Sequence, residues 1–270
     1  MSLLISVFKE LFFDRKRPGM PTDGEPAYSV SQEEEFGNHM QLARAAFPGE
    51  MYEGWLKWFH QKLQPSVYVE IGIETGKTLA YARPPSLAVG IDPAYNISCE
   101  MFAETKLFKE TSDEFFRRPN NLEILQHRTV DLAFIDGLHT FDQALKDFIH
   151  LERLSGPDSV ILFHDVQPVV PETADRSRHT IFWVGDTWKV MVILKKFRPD
   201  LKVISIPTYP SGLGVVTNLN PSSTVLNSKY DSIVAEAMEY ELTPYLQSLK
   251  EDASAVVNDF SAVASSLSDY

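Results

Sequence analysis

The sequence predicts a doubly wound α/β fold. A mostly parallel sheet of seven strands carries helices on both faces, an antiparallel hairpin at one edge, and helical additions at both chain ends. Three observations lead to this. Beyond Pro65, five short apolar runs alternate with longer stretches of helical character. Each run closes on an acidic or polar residue. After the fifth, two more runs follow with a turn between them too short for a crossover helix.

The first run is residues 67–72, and the next four are 87–92, 106–111, 130–136 and 159–165. They are almost free of charge until their last residues, the pattern of strands buried on both faces of a parallel sheet. In such sheets the ligand crevice lies beyond the carboxyl ends of the strands. Glu70 with Gly72, then Asp92, Thr111, Asp136 and Asp165, therefore gather where a site belongs. Residues 201–207 and 214–218 form the expected edge hairpin. Between the fifth strand and this hairpin, residues 167–185 make a long polar loop, after which Asp186 is placed to cap a helix running to Phe197.

The additions are helical. Leu3, Leu4, Val7, Phe8, Leu11 and Phe12 recur at helical spacing, and a Pro- and Gly-rich linker over 15–28 follows. Two helices are expected at 32–46 and 50–63. Thr243-Pro244 is a helix start, and Leu246, Leu249, Ala253, Val256, Phe260, Val263 and Leu267 then step by three and four. That seam should pack on another helix, of this chain or of a second copy, so a homo-oligomer through the terminal helices is expected. The resulting division is 1–64, 65–220 and 221–270.

Composition narrows the function. A formal net charge of −12 disfavours a nucleic-acid partner, because such a surface repels a phosphate backbone. The single cysteine, Cys99, rules out an intrachain disulfide and multi-thiolate zinc sites, and it suits a reducing, cytoplasmic setting. The first residues lack the basic leader and cleavage site of a signal peptide, and no stretch is long and apolar enough for a membrane span.

The first strand opens into Glu70-Ile-Gly72-Ile-Glu-Thr75-Gly76-Lys77-Thr78. Glycines at a strand-to-helix turn allow close approach of a ligand, and a following helix offers open N–H groups. With Asp92 placed to accept from both ribose hydroxyls, the pair suits an adenosine-type ligand. A P-loop is the rival reading, since Gly76-Lys77-Thr78 imitates its end. It requires four residues between its first glycine and Gly-Lys-Thr. Here there are only Ile73, Glu74 and Thr75.

Two further clusters, Asp136-Gly137-Leu138-His139 and His164-Asp165, close adjacent strands. Asp136, His164 and Asp165 have the chemistry of divalent-ion ligands. Carboxylates alone favour Mg²⁺, whereas a histidine favours Mn²⁺, Fe²⁺ or Zn²⁺. His139 is a candidate general base, with His164 second. A hydrogen-bonded strand end with no chemistry is the plain alternative for either histidine.

Taken in order, Glu70-Ile-Gly72-x-x-x-Gly76, Gly90-Ile-Asp92, Phe134-Ile-Asp136-Gly-Leu-His139-Thr-Phe and Ile161-Leu-Phe-His164-Asp165 resemble class I S-adenosylmethionine-dependent methyltransferases. Within these the resemblance is to methyltransferase family 24, which includes sugar and natural-product O-methyltransferases. It implies a Rossmann-like methyltransferase sheet, S-adenosylmethionine as methyl donor, a small-molecule hydroxyl as acceptor, and in metal-dependent members Mg²⁺ or Mn²⁺. Glu70, Gly72, Thr75 and Gly76 would shape the methionine and ribose pocket. Asp92 would hold the ribose, Thr111 and Ser112 would face the adenine, and Asp136 would border cofactor and metal alike. The chain departs from the pattern after Gly76, where Pro84-Pro85 shortens the helix, and at 93–105, which leaves little room for a second one. Phe182, Trp183, Trp188, Arg176 and Arg178 would line a lid over the acceptor. A non-catalytic scaffold of the same fold is the third reading.

Overall fold

The computed structural model describes residues 30–125, 128–251 and 257–268. The expected N-terminal helix at Leu3–Phe12, its linker, and Ala253 and Val256 of the seam lie outside them. Two helices come first, α1 (Val30–Ala46) and α2 (Tyr52–Leu63). The sheet then builds as β1 (Val67–Ile71), β2 (Leu87–Ile91), β3 (Glu104–Phe108), β4 (Val130–Ile135) and β5 (Ser155–His164). Helix α3 (Ser112–Arg117) follows β3, and α4 (Phe141–Leu154) crosses from β4 to β5. Helix α5 (Lys189–Phe197) leads to the hairpin β6 (Lys202–Ile206) and β7 (Leu213–Thr217). Helices α6 (Tyr230–Ala237), α7 (Leu242–Glu251) and α8 (Phe260–Ser268) complete the described chain, with single turns at Pro119–Leu122 and Val225–Ser228.

The strand order is β3-β2-β1-β4-β5-β7-β6. Strands β1 to β5 pair in parallel, and β7 inserts antiparallel between β5 and β6. This is the predicted seven-stranded sheet with its antiparallel edge. The order reverses between β1 and β4, so the crevice falls where Gly72 and Asp136 leave the sheet.

Alternating side chains of the buried strands feed two cores. Val67, Val69, Ile71, Ile161 and Phe163 face Leu145, Phe148 and Leu151 of α4 and Val190, Ile193 and Leu194 of α5. Tyr68, Phe134 and Leu162 point to the other face, which is covered by Trp55, Leu56 and Phe59 of α2 and Val263 of α8. No helix of the described residues is long and apolar enough to cross a membrane.

Several boundaries differ from the sequence expectation. The third strand is Glu104–Phe108 rather than 106–111, because Thr111 leaves the sheet to cap α3 with a reciprocal Glu114 hydrogen bond. The fifth begins earlier, at Ser155, and ends at His164. After Gly76 only a 3₁₀ turn forms, Leu79–Tyr81, and no helix lies between β2 and β3. The expected helix N-terminus at the glycine loop is therefore missing. Asp186 does not cap α5; its carboxylate accepts from the Phe141 N–H instead. The C-terminal seam is not one helix: residues 257–259, before α8, are non-helical, and Asp259 N–H turns back to the Val257 carbonyl. Both helices dock on this chain, Leu246 and Leu249 against one core, and Phe260 and Leu267 against the other. The Trp55 indole N–H donates to Asn258 Oδ1 at 2.7 Å and anchors the break.

Candidate active site

At the end of β1 the chain turns at Gly72, with φ +84°, and its N–H still reaches the Ile91 carbonyl at 2.8 Å. A side chain at this position would meet the Asp136 backbone. The loops after β1 and β4 therefore touch through bare main chain. Glu74 (φ +45°) and Gly76 (φ +77°) are left-handed too, which draws the loop tight. Asp92 braces it: one carboxylate oxygen accepts from Glu74 N–H at 2.9 Å, the other from Ala94 N–H at 2.6 Å. The extended chain after β2 lies along the same loop, with Asn96 N–H on Glu74 O and Ser98 N–H on Thr75 O. That segment takes the place of the absent helix.

Glu70 is fully buried and accepts hydrogen bonds from Tyr68 and Thr78 hydroxyls. Burial outweighs those bonds and lifts its carboxyl to about 8. Between about pH 4.5 and 8 the unfolded chain releases a proton that folded Glu70 keeps, so stability falls as pH rises through that window. Above it the loss is complete. Glu70→Gln is expected to remove this slope and to be more stable than the parent at pH 8 by a few kcal/mol, since each tenfold weakening of acidity corresponds to about 1.4 kcal/mol. Denaturant midpoints of both proteins from about pH 5 to 9 measure this; parallel pH profiles would contradict it.

Lys77 pairs with Glu53 at 2.7 Å, and Thr78 is committed to Glu70. Neither side chain of the Gly-Lys-Thr run is available for phosphate or magnesium, and no helix follows. The P-loop reading fails on these contacts. Thr75 is buried beneath the loop. Thr111 is exposed at the α3 cap, and buried Ser112 accepts from Gln143, which also bonds Asp113 and Asp147. Burial raises the Asp147 carboxyl to about 7.

Asp136, His139, His164 and Asp165 converge as the sequence suggested. One His139 nitrogen, Nδ1, lies 3.0 Å from Asp165 Oδ2 and 3.0 Å from the Trp183 carbonyl, and Nε2 lies 3.4 Å from Asp136. His164 Nδ1 stands 3.3 Å from Asp136 and 3.4 Å from Asp165. His139 and Asp165 both adopt φ +60°, a conformation costing a non-glycine residue about 1–2 kcal/mol. Burial lowers the affinity of both histidines for protons, but the two carboxylates outweigh it. His139 rises to about 10 and His164 is raised as well. Burial alone would raise Asp136, yet the two histidines hold it well below the usual carboxylate range. In this arrangement the two aspartates favour the protonated form of both rings.

The ligand atoms of Asp136, His139 and Asp165 lie within 4.8 Å of one another. A cavity of about 10 Å³ opens among them, against Asp147 and Thr187, and is the size of one water. Thr187 Oγ1 and His164 Nε2 are buried beside it without a hydrogen-bond partner among the described residues. Two carboxylates, an imidazole and a void of this size fit a divalent ion. The expected set contained His164; the geometry adds His139, which comes within reach because its backbone turns left-handed.

Other residues here were not legible in the sequence. The Tyr52 ring packs 4.3 Å from that of His164. Ser211, in the β6–β7 loop, donates to Asp165. Trp183 stacks on His139 at 5.4 Å, and Gly185 (φ +66°) presses against the His139 carbonyl. Of the expected lid, Arg176 is engaged by Asp142 and Asp186, and Arg178 by the carbonyls of Thr180 and Ile181. Trp188 is not part of it: it is buried and stacked on Tyr245.

The stretch 69–166, from within β1 to just past β5, matches a family model described as a methyltransferase domain. Every strand end described above, from Glu70 to Asp165, falls inside it. Among solved structures the chain is similar to a Klebsiella pneumoniae protein described as a putative O-methyltransferase, at 11% identity and TM-score 0.46, over 80% of this chain and 97% of that one. It is similar also to the O-methyltransferase TomG of Streptomyces achromogenes, in complex with SAM, at 14% and 0.45 over 80% and 96%. A third, the Bacillus cereus O-methyltransferase with SAH, gives 13% and 0.44 over 79% and 99%. The comparison with curated proteins found no match. The matched stretch ends before the hairpin, so α1, α2 and everything beyond Val166 lie outside it.

Proposed function

We propose that this chain is an S-adenosylmethionine-dependent O-methyltransferase acting on the hydroxyl of a small molecule, with a divalent ion held by Asp136, His139 and Asp165. The observation that carries the reading is the methyltransferase-domain match, which spans the glycine loop, Asp92 and the Asp136–Asp165 cluster. Glu70, Gly72, Thr75, Gly76, Asp92, Thr111, Ser112 and Asp136 are retained as the cofactor side, with Asp92 on the ribose. His164 adjoins the ion site.

The donor supplies an activated methyl group, and an ion, when bound, lowers the pKa of a hydroxyl it contacts. The remaining work belongs to the chain. Gly72 and Gly76 let the main chain approach the donor, and Asp92 holds the loop in that shape. Asp136 and Asp165 concentrate negative charge where the proton of the acceptor must depart. Trp183 O and Asp165 fix the His139 ring, which with Asp136 and Asp165 would hold the ion. Leu138, 62% exposed beside it, offers an apolar contact to an acceptor. Holding the two reacting centres at near-attack distance lowers the barrier by roughly 7–11 kcal/mol.

The reading includes a small-molecule rather than nucleic-acid acceptor, which the net charge of −12 supports, and a cytoplasmic setting, which the lone cysteine supports. Self-association through terminal helices now rests on the segment before residue 30, since α7 and α8 pack on their own body. The test is calorimetric titration of the full chain with S-adenosylmethionine, with and without Mg²⁺ or Mn²⁺. Micromolar binding is expected, weakened at least about tenfold in Asp92→Ala, which loses charged hydrogen bonds. Absence of binding under every condition would sink the proposal and leave the fold intact.

A further inference from the structure

A second and larger cavity, of about 380 Å³, lies outside the methyltransferase domain. Its walls are Phe47 at the end of α1, Gln167 past β5, Val203 and Ser205 on edge strand β6, and Leu246 and Leu249 on α7. The volume falls in the range of about 300–1,000 Å³ typical of small-ligand sites. Most of the lining is apolar, and the polar groups are few. Gln167 is buried, only 6% exposed, and its side-chain amide makes no hydrogen bond among the described residues, although its backbone N–H is spent on Ser211 O. An amide in the wall of a mostly apolar cavity offers a ligand a polar point of attachment.

The charges at this cavity are both positive. Lys195 and Lys250, last-turn cations of α5 and α7, line it, and no carboxylate of the described residues does. We propose that the cavity binds an amphipathic carboxylate: an acyl chain lies between Val203, Leu246 and Leu249, and its carboxylate is met by the Lys250 ammonium and the Gln167 amide. The site is independent of the methyltransferase reading, since it shares no residue with the strand-end cluster.

The experiment is calorimetric titration of the full chain with decanoate, with decan-1-ol as the uncharged counterpart. Saturable binding in the range of about 10–100 µM is expected for decanoate, and weaker binding for the alcohol. Leu249→Trp, which fills the cavity, should weaken binding at least about tenfold. Lys250→Glu, at the exposed rim, should weaken it about threefold. Should Leu249→Trp fail to melt cooperatively, Val203→Phe serves in its place. No saturable binding, as when another part of the chain fills the space, overturns the proposal. Equal affinity for acid and alcohol overturns the carboxylate, and unchanged affinity in the filled variants overturns the location.

Discussion

Gly72→Ala is expected to destabilise the chain by about 3–5 kcal/mol and to abolish measurable S-adenosylmethionine binding in whatever folds. The new Cβ would stand 1.9 Å from the Asp136 carbonyl oxygen and 2.5 Å from its carbon, and both are backbone. No side chain can rotate away, so the loops after β1 and β4 must separate. The left-handed conformation adds about 1–2 kcal/mol for any L residue. The shift in melting temperature would be roughly 10 °C for a domain of this size. Gly37→Ala is the comparator: it sits within α1, a Cβ there meets nothing within 4 Å, and helix propensity makes the change neutral or stabilising by up to about 1 kcal/mol. Equal melting temperatures for the two variants would refute the close approach of the two loops.

The second large effect is Arg198→Met, for which a loss of about 3–5 kcal/mol is expected. The Arg198 side chain is 1% exposed and donates to Glu152 Oε2 at 2.7 Å and to Asp200 Oδ2 at 2.7 Å. Glu152 also accepts the Asn220 N–H at 3.1 Å, so one carboxylate at the end of α4 ties α5 to the chain leaving β7. Removing the guanidinium leaves Glu152 buried and uncompensated, which is where most of the penalty arises. The double variant Arg198→Met with Glu152→Leu should therefore recover at least half of the loss. Urea denaturation of the two single variants and the double variant closes the cycle, and strict additivity would contradict the pairing.

How much of this could be read in advance varied with the type of interaction involved. Five parallel strands and the edge hairpin were legible because fully buried strands leave short uncharged runs. The same runs ended close to the right place, since a polar residue marks where the chain leaves the core. Lys106–Thr111 was displaced by about two residues because Lys106 and Lys109 gave that strand no clean apolar limit. The cut-short helix after Gly76 was foreshadowed by Pro84-Pro85. Its consequence was not: the extended segment around Asn96 and Ser98 binds the glycine loop through backbone groups, which carry no sequence signal.

At the site, local motifs identified Asp136, His139, His164 and Asp165 because they lie at or just past the ends of β4 and β5, and adjacent strand ends must meet. Whether His139 is a base or an ion ligand depended on its left-handed backbone and on distances to two aspartates from different strands. Its acidity is a property of that neighbourhood and not of the residue. Tyr52, Trp183 and Ser211 reach the cluster across gaps of tens to more than a hundred residues in sequence. The sequence by itself determined the sheet, its antiparallel edge and the crevice at the carboxyl ends, because hydrophobic periodicity and strand termination are local. Tertiary structure alone decided the charges that surround the histidines, the burial of Trp188 and the docking of the C-terminal helices. Those depend on which charges and apolar faces come together once the chain has closed on itself.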